Sequence, residues 1–355
     1  MKLNEIFKRQ SLFVPIIAIV LGLVLGALVM LAGGYDPILA YQSMLTKIFG
    51  STFDIGEAIR TIVPLVMCGL AVAISFRAGM FNIGVDGQII MGSLGALIVG
   101  TQFNLPPFLH GLVAILVGAL FGGLWGALVG YLKATKGISE VVTSIMLNFI
   151  ALYFSQFMIN LFMLQKGTQR SEMIHDSASI QISWLSNLAG GARIHWGFFI
   201  VILAVIFYQV YLNKTKWGYE LRTVGLNPHA AKYAGMSVSR VLVRTMFISG
   251  VFGGLVGAFD VLGVFKYVAI SSTTSGLGFD GIAVALLGGN TAIGVLLSGI
   301  LIGALTYGSQ GMSFGAGVPG EIIRMVIGFI IFFVAAPGIV KLLFRPFQKK
   351  TKKKV

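Results

Sequence analysis

LHGLVAILVGALFGGLWGALVGYL, residues 109–132, contains no Asp, Glu, Lys or Arg. An α-helix rises 1.5 Å per residue, so about 20 apolar residues cross the roughly 30 Å hydrocarbon core of a bilayer. This stretch is long enough, and comparable ones recur at about 12–32, 58–76, 83–101, 139–164, 196–213, 241–262, 278–289, 292–310 and 320–343. Backbone groups in lipid must be paired internally, and these segments are too long for the strands of a barrel. The expected fold is therefore all-α: a polytopic membrane protein of about ten transmembrane helices, with residues 1–355 as a single transmembrane domain.

Composition agrees. Of 355 residues 56% are hydrophobic and 11% charged, with a mean hydropathy of +0.91; soluble domains carry about 25% charged residues. The net charge of +14 is not read as nucleic-acid binding, because the basic residues gather on one side of the spans. Lys2, Lys8 and Arg9, then Arg77, Lys133 and Lys136, then the run from Lys214 to Arg240, then the tail 345–355 all fall on that side. The positive-inside bias places it, with both termini, in the cytoplasm, where the tail would meet anionic headgroups. Cys68 is the single cysteine, which excludes an intrachain disulfide and a Cys-rich metal site. The stretch from Leu12 to Leu31 follows basic residues as a signal peptide does, but it exceeds the roughly 7–15 residue core of one and reads as a first span.

Gly118, Gly122, Gly126 and Gly130 repeat every fourth position along 109–132, and Gly250 with Gly254, Gly253 with Gly257 and Gly299 with Gly303 repeat the pattern. Such stripes let helices approach backbone to backbone. Residues 36–50 have apolar positions at helical spacing, as in a short interfacial helix. The stretch 165–195, polar with Trp184 inside it, fits an external contact or a plain connector equally. One echo links the halves, taken as 11–190 and 196–344: Ile83-Gly84-Val85-Asp86-Gly87 resembles Leu277-Gly278-Phe279-Asp280-Gly281. An odd number of spans separates the copies, as in two inverted five-helix halves. The second copy opens a short, Gly-flanked span that reads as broken or re-entrant.

No G-x-x-x-x-G-K-[ST] or H-E-x-x-H motif occurs, so neither a nucleotide-binding loop nor a zinc-hydrolase set is visible. Ionisable and polar residues inside spans mark solute pathways by default. On that ground Asn82, Asp86, Gln88, Asn148, Asp280 and Asn290 are candidates to line one. For Asp86 and Asp280 the other reading is capping of a broken helix, and for the amides interhelical hydrogen bonding. Arg60, Glu57 and Asp260 read as boundary charges, and Glu321 with Arg324 as an ion pair on one helix face.

The polar loop 213–240 is more defined. Glu220-Leu221-Arg222 is followed by Gly225, read as a break, and by Asn227-Pro228, which reads as an N-cap with proline at the first helical position. A short helix over Pro228–Ala234 ends at Gly235.

These residues carry a resemblance. Gly218, Glu220, Leu221, Arg222, Gly225, Asn227, Pro228, Ala230 and Ala231 resemble the loop by which permease subunits of ATP-binding-cassette importers dock on their ATPase. Phe81-Asn82-Ile83-Gly84-Val85-Asp86-Gly87-Gln88 is similar to the N-I-G-x-E-G-Q run of the nucleoside-type members of the nucleoside and ribose group, with Asp86 in place of the usual Glu. The resemblance covers about residues 11–344. It implies a bacterial plasma-membrane permease without enzymatic activity, with ATP and Mg bound on a separate cytosolic ABC ATPase. A second, related permease chain and an external substrate-binding lipoprotein would complete the importer, and a nucleoside would be its substrate. An ion-coupled secondary transporter using Asp86 or Asp280, and an ABC permease for ribose-type sugars, are the alternatives.

Overall fold

The computed structural model describes residues 2–335, with side chains from 17 to 333. The basic tail 345–355 and the end of the last expected span lie outside the described residues. Among those described, secondary structure is helical, with only isolated β-bridges. Six helices are long and apolar enough to cross a membrane: α3 (Thr52–Arg77), α5 (Leu109–Lys136), α6 (Glu140–Phe162), α8 (Gly197–Lys214), α11 (Val238–Phe259, continued as a π-helical turn over Asp260–Phe265) and α13 (Ala292–Ala316). Of the other four expected stretches, each falls on a helix: α1 (Lys2–Ala32), α4 (Val85–Gln102), α12 (Leu277–Leu287) and α14 (Gly320–Ala335). α4 carries Asp86 and Gln88 in its first turn, yet almost its whole length is buried. α12 has only 11 residues, about 16 Å of helix and half a bilayer core.

Packing divides the chain into two units. The first comprises residues up to Ser51 with those from Ala304 onward. Within it α1 lies along α14, with Gly22 against Ile330 and Gly26 against Val326. The short helix expected at 36–50 is α2 (Pro37–Phe49), whose Asp36 carboxylate caps it by accepting the N–H groups of Ile38 and Leu39. Its buried face is Ala40, Met44 and Ile48, with Ile48 and Met44 against Gly308 and Ser43 against Gly311 of α13; Ile38 and Phe49 face outward. Glu321 and Arg324 sit in the first turns of α14 but form no ion pair within 4 Å, so that expectation fails: long side chains three apart on an exposed turn gain little by pairing.

The second unit, Thr52–Gly303, is built around the glycine stripe. Gly122, Gly126 and Gly130 of α5 lie directly on the backbone of α11, Gly122 between Gly250 and Gly254 and Gly126 against Met246, while Gly118 faces Ala258 of α11 and the Gly92 carbonyl of α4. Gly92 of α4 meets Gly254 from the other side. Any Cβ at these positions would collide with main chain, so the three helices lock at backbone distance. Gly299 and Gly303 seat α13 on Val66 and Ile62 of α3 in the same way.

Residues 163–196 fold as a compact cap on the end of this unit. It holds a 3-10 turn (Asp176–Ala178) and α7 (Ser183–Leu188), and Ile174, Ala178, Ile180, Ile182 and Ile194 are buried beneath it. Glu57, expected as a boundary charge, fastens the cap: its carboxylate accepts the Arg193 backbone N–H at 2.9 Å, the Arg193 guanidinium at 2.9 Å and Arg60 at 2.7 Å. His195 is buried in the same place, its Nδ1 accepting the Gly197 N–H at 3.1 Å. Burial, with the Arg60 charge adding to it, pushes this imidazole down to about 4, so it stays neutral at physiological pH. Trp184 and Leu188 of α7 face outward.

Candidate functional site

Two places in the second unit bring together the residues singled out above. The first is a break in the helical interior. Between α3 and α4 the chain runs non-helical from Gly79 to Gly84, and its backbone groups need partners there. Amide side chains supply them. Asn82 accepts the Gly84 N–H at 2.8 Å and donates to Ser249 of α11 at 2.8 Å. Asn148 of α6 accepts the Gly87 N–H at 2.8 Å and donates to the Ile83 carbonyl at 3.0 Å. Gln88 reaches Asn82 at 3.5 Å. All three amides are buried; they stitch α4, α6 and α11 around the break, and the Ser249 hydroxyl, donating to the Ala71 carbonyl, ties α3 to them.

Asp86 closes the other side. Its carboxylate accepts the Gly278 N–H at 3.2 Å and the Ser275 hydroxyl at 3.2 Å. The first turn of α4 therefore meets the first turn of α12, and the two echoed motifs abut. An acidic group at a helix N-terminus is stabilised by unpaired N–H groups and by the helix dipole. Asp86 does cap a broken helix, but the helix is α12 and not its own. Gly278 passes so close to Asp86 that a Cβ would press on its backbone N and carboxylate. Asp280 lies on the opposite, exposed side of α12. Asn290 sits just beyond the other end of α12 with φ +53°, and its carbonyl accepts Arg77 Nε and the Tyr208 hydroxyl, each at 3.0 Å. The structure thus gathers Asn82, Asp86, Gln88 and Asn148 at one locus and sets Asp280 and Asn290 apart from it. Ser249 and Ser275 complete the locus; lone serines beside glycines gave no signal in the sequence.

The second place is the loop 213–240, which is a pair of helices: α9 (Lys216–Leu226) and α10 (Pro228–Tyr233). Asn227 caps α10 as expected, accepting the N–H groups of His229 at 3.0 Å and Ala230 at 3.1 Å, and Gly235 closes it with φ +81°. Gly225 does not break α9; the helix continues through it to Leu226. Its lack of a side chain serves packing instead, since a Cβ there would strike the Arg77 carbonyl at the end of α3. Gly218 likewise lies on Tyr211 and Leu212. Leu221 is fully buried, and Glu220 pairs with Arg244 of α11 at 3.0 Å. Arg222 lines, with Arg77, Tyr219 and Asn290, a cleft of about 590 Å³ between α9 and the α12–α13 turn.

Four of the nine loop residues named from sequence, Gly218, Glu220, Leu221 and Gly225, therefore hold α9 to the bundle. Ala231 is buried too, whereas Ala230, Leu226 and Tyr233 point away, the last two 89% and 95% exposed. An apolar residue and an aromatic at the outer edge of a basic loop is a signal that a reading by charge passes over. Among the described residues no three His, Cys, Asp or Glu side chains gather as a metal set.

A break in the helical interior is thus closed by Asp86 and three amides, and a capped helix pair is held to one end of the bundle. The chain belongs to the family described as branched-chain amino acid transport system / permease component, which matches residues 55–335. It is 44% identical to the guanosine ABC transporter permease protein NupP of Bacillus subtilis, over 97% of this chain and 99% of that one. It is 38% identical to the nucleoside ABC transporter permease protein NupB of Lactococcus lactis, over 95% and 94%. Similarity to the glucose ABC transporter permease protein TsgB13 of Haloferax volcanii is 30%, over 90% and 86%. The same Bacillus and Lactococcus strains each contain a further, more distant relative, NupQ and NupC, at 28% and 29% over 254 residues.

Proposed function

We propose that this chain is the permease subunit of an ATP-driven importer that takes up nucleosides across a bacterial plasma membrane. The near full-length match to two permeases whose names specify guanosine and nucleosides carries this reading. In it the chain has ten spans and both termini in the cytoplasm, on the side of α9 and α10. ATP and Mg bind to a separate cytosolic ABC ATPase, and this chain performs no catalysis. A different but related permease pairs with it, in keeping with the paired names NupP and NupQ, NupB and NupC. An external lipoprotein delivers the substrate.

The geometry supplies a lever. The ATPase takes α10 with Leu226 and Tyr233; α9 cannot slip, because Gly218, Leu221, Gly225 and the Glu220–Arg244 pair seat it on the bundle. Its displacement reaches the end of α3 through Gly225, then Arg77, then Asn290 and the end of α12. The start of α12 rests on Asp86, so the interior break feels the push. ATP and the loaded binding protein would each bias one state of this two-state element.

Uptake of radiolabelled nucleoside tests this, in cells expressing the chain with and without its ATPase and partner permease. ATPase-dependent uptake, competed by other nucleosides but not by ribose, is expected. Uptake by this chain alone that collapses with an ionophore overturns it in favour of an ion-coupled transporter. The Haloferax relative gives the sugar reading a specific basis, and competition by ribose or glucose would select it. Tyr233→Asp should abolish coupled uptake while leaving insertion and stability unchanged.

A further inference from the structure

A cavity of about 310 Å³ lies between α4, α6 and the irregular segment that precedes α12, at the end of the unit away from α9 and α10. This volume falls at the lower edge of the range, roughly 300 Å³ upward, of sites that enclose small organic molecules. Ser93 of α4, Ser155 and Gln156 of α6, Phe265, Tyr267 and Asp260 are among its lining residues. Asp260 opens the π-helical turn that ends α11; such turns occur often at functional sites because they re-aim side chains. Among the described residues no hydrogen bond or ion pair within 4 Å reaches the Asp260 carboxylate; the Arg60 charge acts on it from farther off, held by Glu57 at 2.7 Å. An ionised carboxylate is purely an acceptor, and one left unpaired at membrane depth is costly unless a ligand or pathway uses it.

We propose that this cavity is a holding site for the nucleoside inside the permease, with Asp260 accepting a pair of hydrogen bonds from it. The proposal rests on the nucleoside reading above and adds where the solute sits and what recognises it. Nucleosides offer paired donors in two places. The ribose 2′,3′-diol has two adjacent hydroxyls, and a guanine edge presents a ring N–H beside an exocyclic amine. Phe265 and Tyr267, with ring centroids 6.4 Å apart, give a base aromatic surface to pack on. Arg170 stacks on the Tyr267 ring at 4.8 Å and holds it in place. Ser275 lines the cavity and also holds Asp86, so filling the site is felt where α4 and α12 meet.

The test is uptake by the complete importer reconstituted in vesicles, for guanosine, inosine and 2′-deoxyguanosine. Asp260→Asn should raise KM about tenfold or more, as expected for losing hydrogen bonds to a charged group. ATPase stimulation by the loaded binding protein should persist. Lost discrimination between guanosine and inosine assigns Asp260 to the base edge; lost discrimination between guanosine and 2′-deoxyguanosine assigns it to the ribose. Thr274→Trp, which narrows the cavity from its irregular wall without altering Asp260, should also raise KM, and it decides the matter if the Asn variant fails to insert. Wild-type KM and selectivity in the variants that insert would overturn the site while leaving the nucleoside importer standing. A wild-type importer that moves no nucleoside would overturn both.

Discussion

The first turns of α4 and α12 share the pattern Gly-x-Asp-Gly, yet they occupy opposite surroundings. Around α4, Val85 and Asp86 are buried and Gly87 is wedged against Asn148. Around α12, Gly278 and Gly281 are buried against Asp86 and Cys68, while Phe279 is 57% exposed and Asp280 is exposed as well. One copy is therefore enclosed on all sides by its own chain. The other is buried on one face, and its exposed face carries Phe279 and Asp280. The glycines do the same work in both copies, permitting close approach. What surrounds them differs because α12, with 11 residues against 18 in α4, is the shorter helix.

The largest effects should come from the position where the two copies agree. Gly281→Leu drives a side chain into the Cys68 backbone, and Gly87→Leu into Asn148. Each should cost about 3 kcal/mol, the upper end for overpacking a tight core. Gly281→Leu should be the worse, because main chain cannot step aside as an amide side chain can. Thermal melting of the purified protein in detergent measures both, and a mild Gly281 variant would mean that α12 is not firmly seated on α3.

The next position separates the copies. Val85→Ser should cost about 2 kcal/mol from lost burial, whereas Phe279→Ser should leave the melting temperature of the isolated chain unchanged. Phe279→Ser is expected instead to reduce co-purification of the partner permease. Equal destabilisation by the two would show that the exposed face of α12 is already covered. At the acidic position Asp86→Ala should cost about 1–2 kcal/mol, since it leaves the Gly278 N–H without its acceptor. Asp86→Asn should cost less, because an amide oxygen can still accept. Asp280→Ala removes an exposed carboxylate, whose contacts are worth less than those of a buried one, and should cost less than Asp86→Ala. A transport defect in Asp280→Ala without a stability defect would assign the exposed face of α12 to the solute.

The loop 213–240 shows how far local reading carries. Asn227-Pro228 and Gly235 announce the start and stop of α10 because capping is a contest between neighbours in sequence: an Asn oxygen two or three residues from free N–H groups, a proline with no N–H to lose, a glycine free to take positive φ. Gly225 misleads for the same reason. Read locally, a glycine weakens a helix, yet here the helix runs on because the end of α3 lies where a side chain would stand. The apolar runs and the four-residue glycine spacing were equally legible, since length and period settle how a helix meets lipid or another helix.

The sequence reads Asp86 as a pathway or capping residue and Asp260 as a boundary charge, and the structure gives only the first reading back. Each is a lone carboxylate among apolar neighbours. That one caps a helix nearly two hundred residues further along the chain, and the other faces a cavity, depends on contacts between segments with no local signature. Apolar length, charge bias and helix caps are properties of a few neighbouring residues, so the chain declares its helices and its class unaided. Which polar group is satisfied and which is left facing open space is set only when distant segments pack, because a hydrogen bond is decided by fractions of an ångström between partners that packing alone brings together.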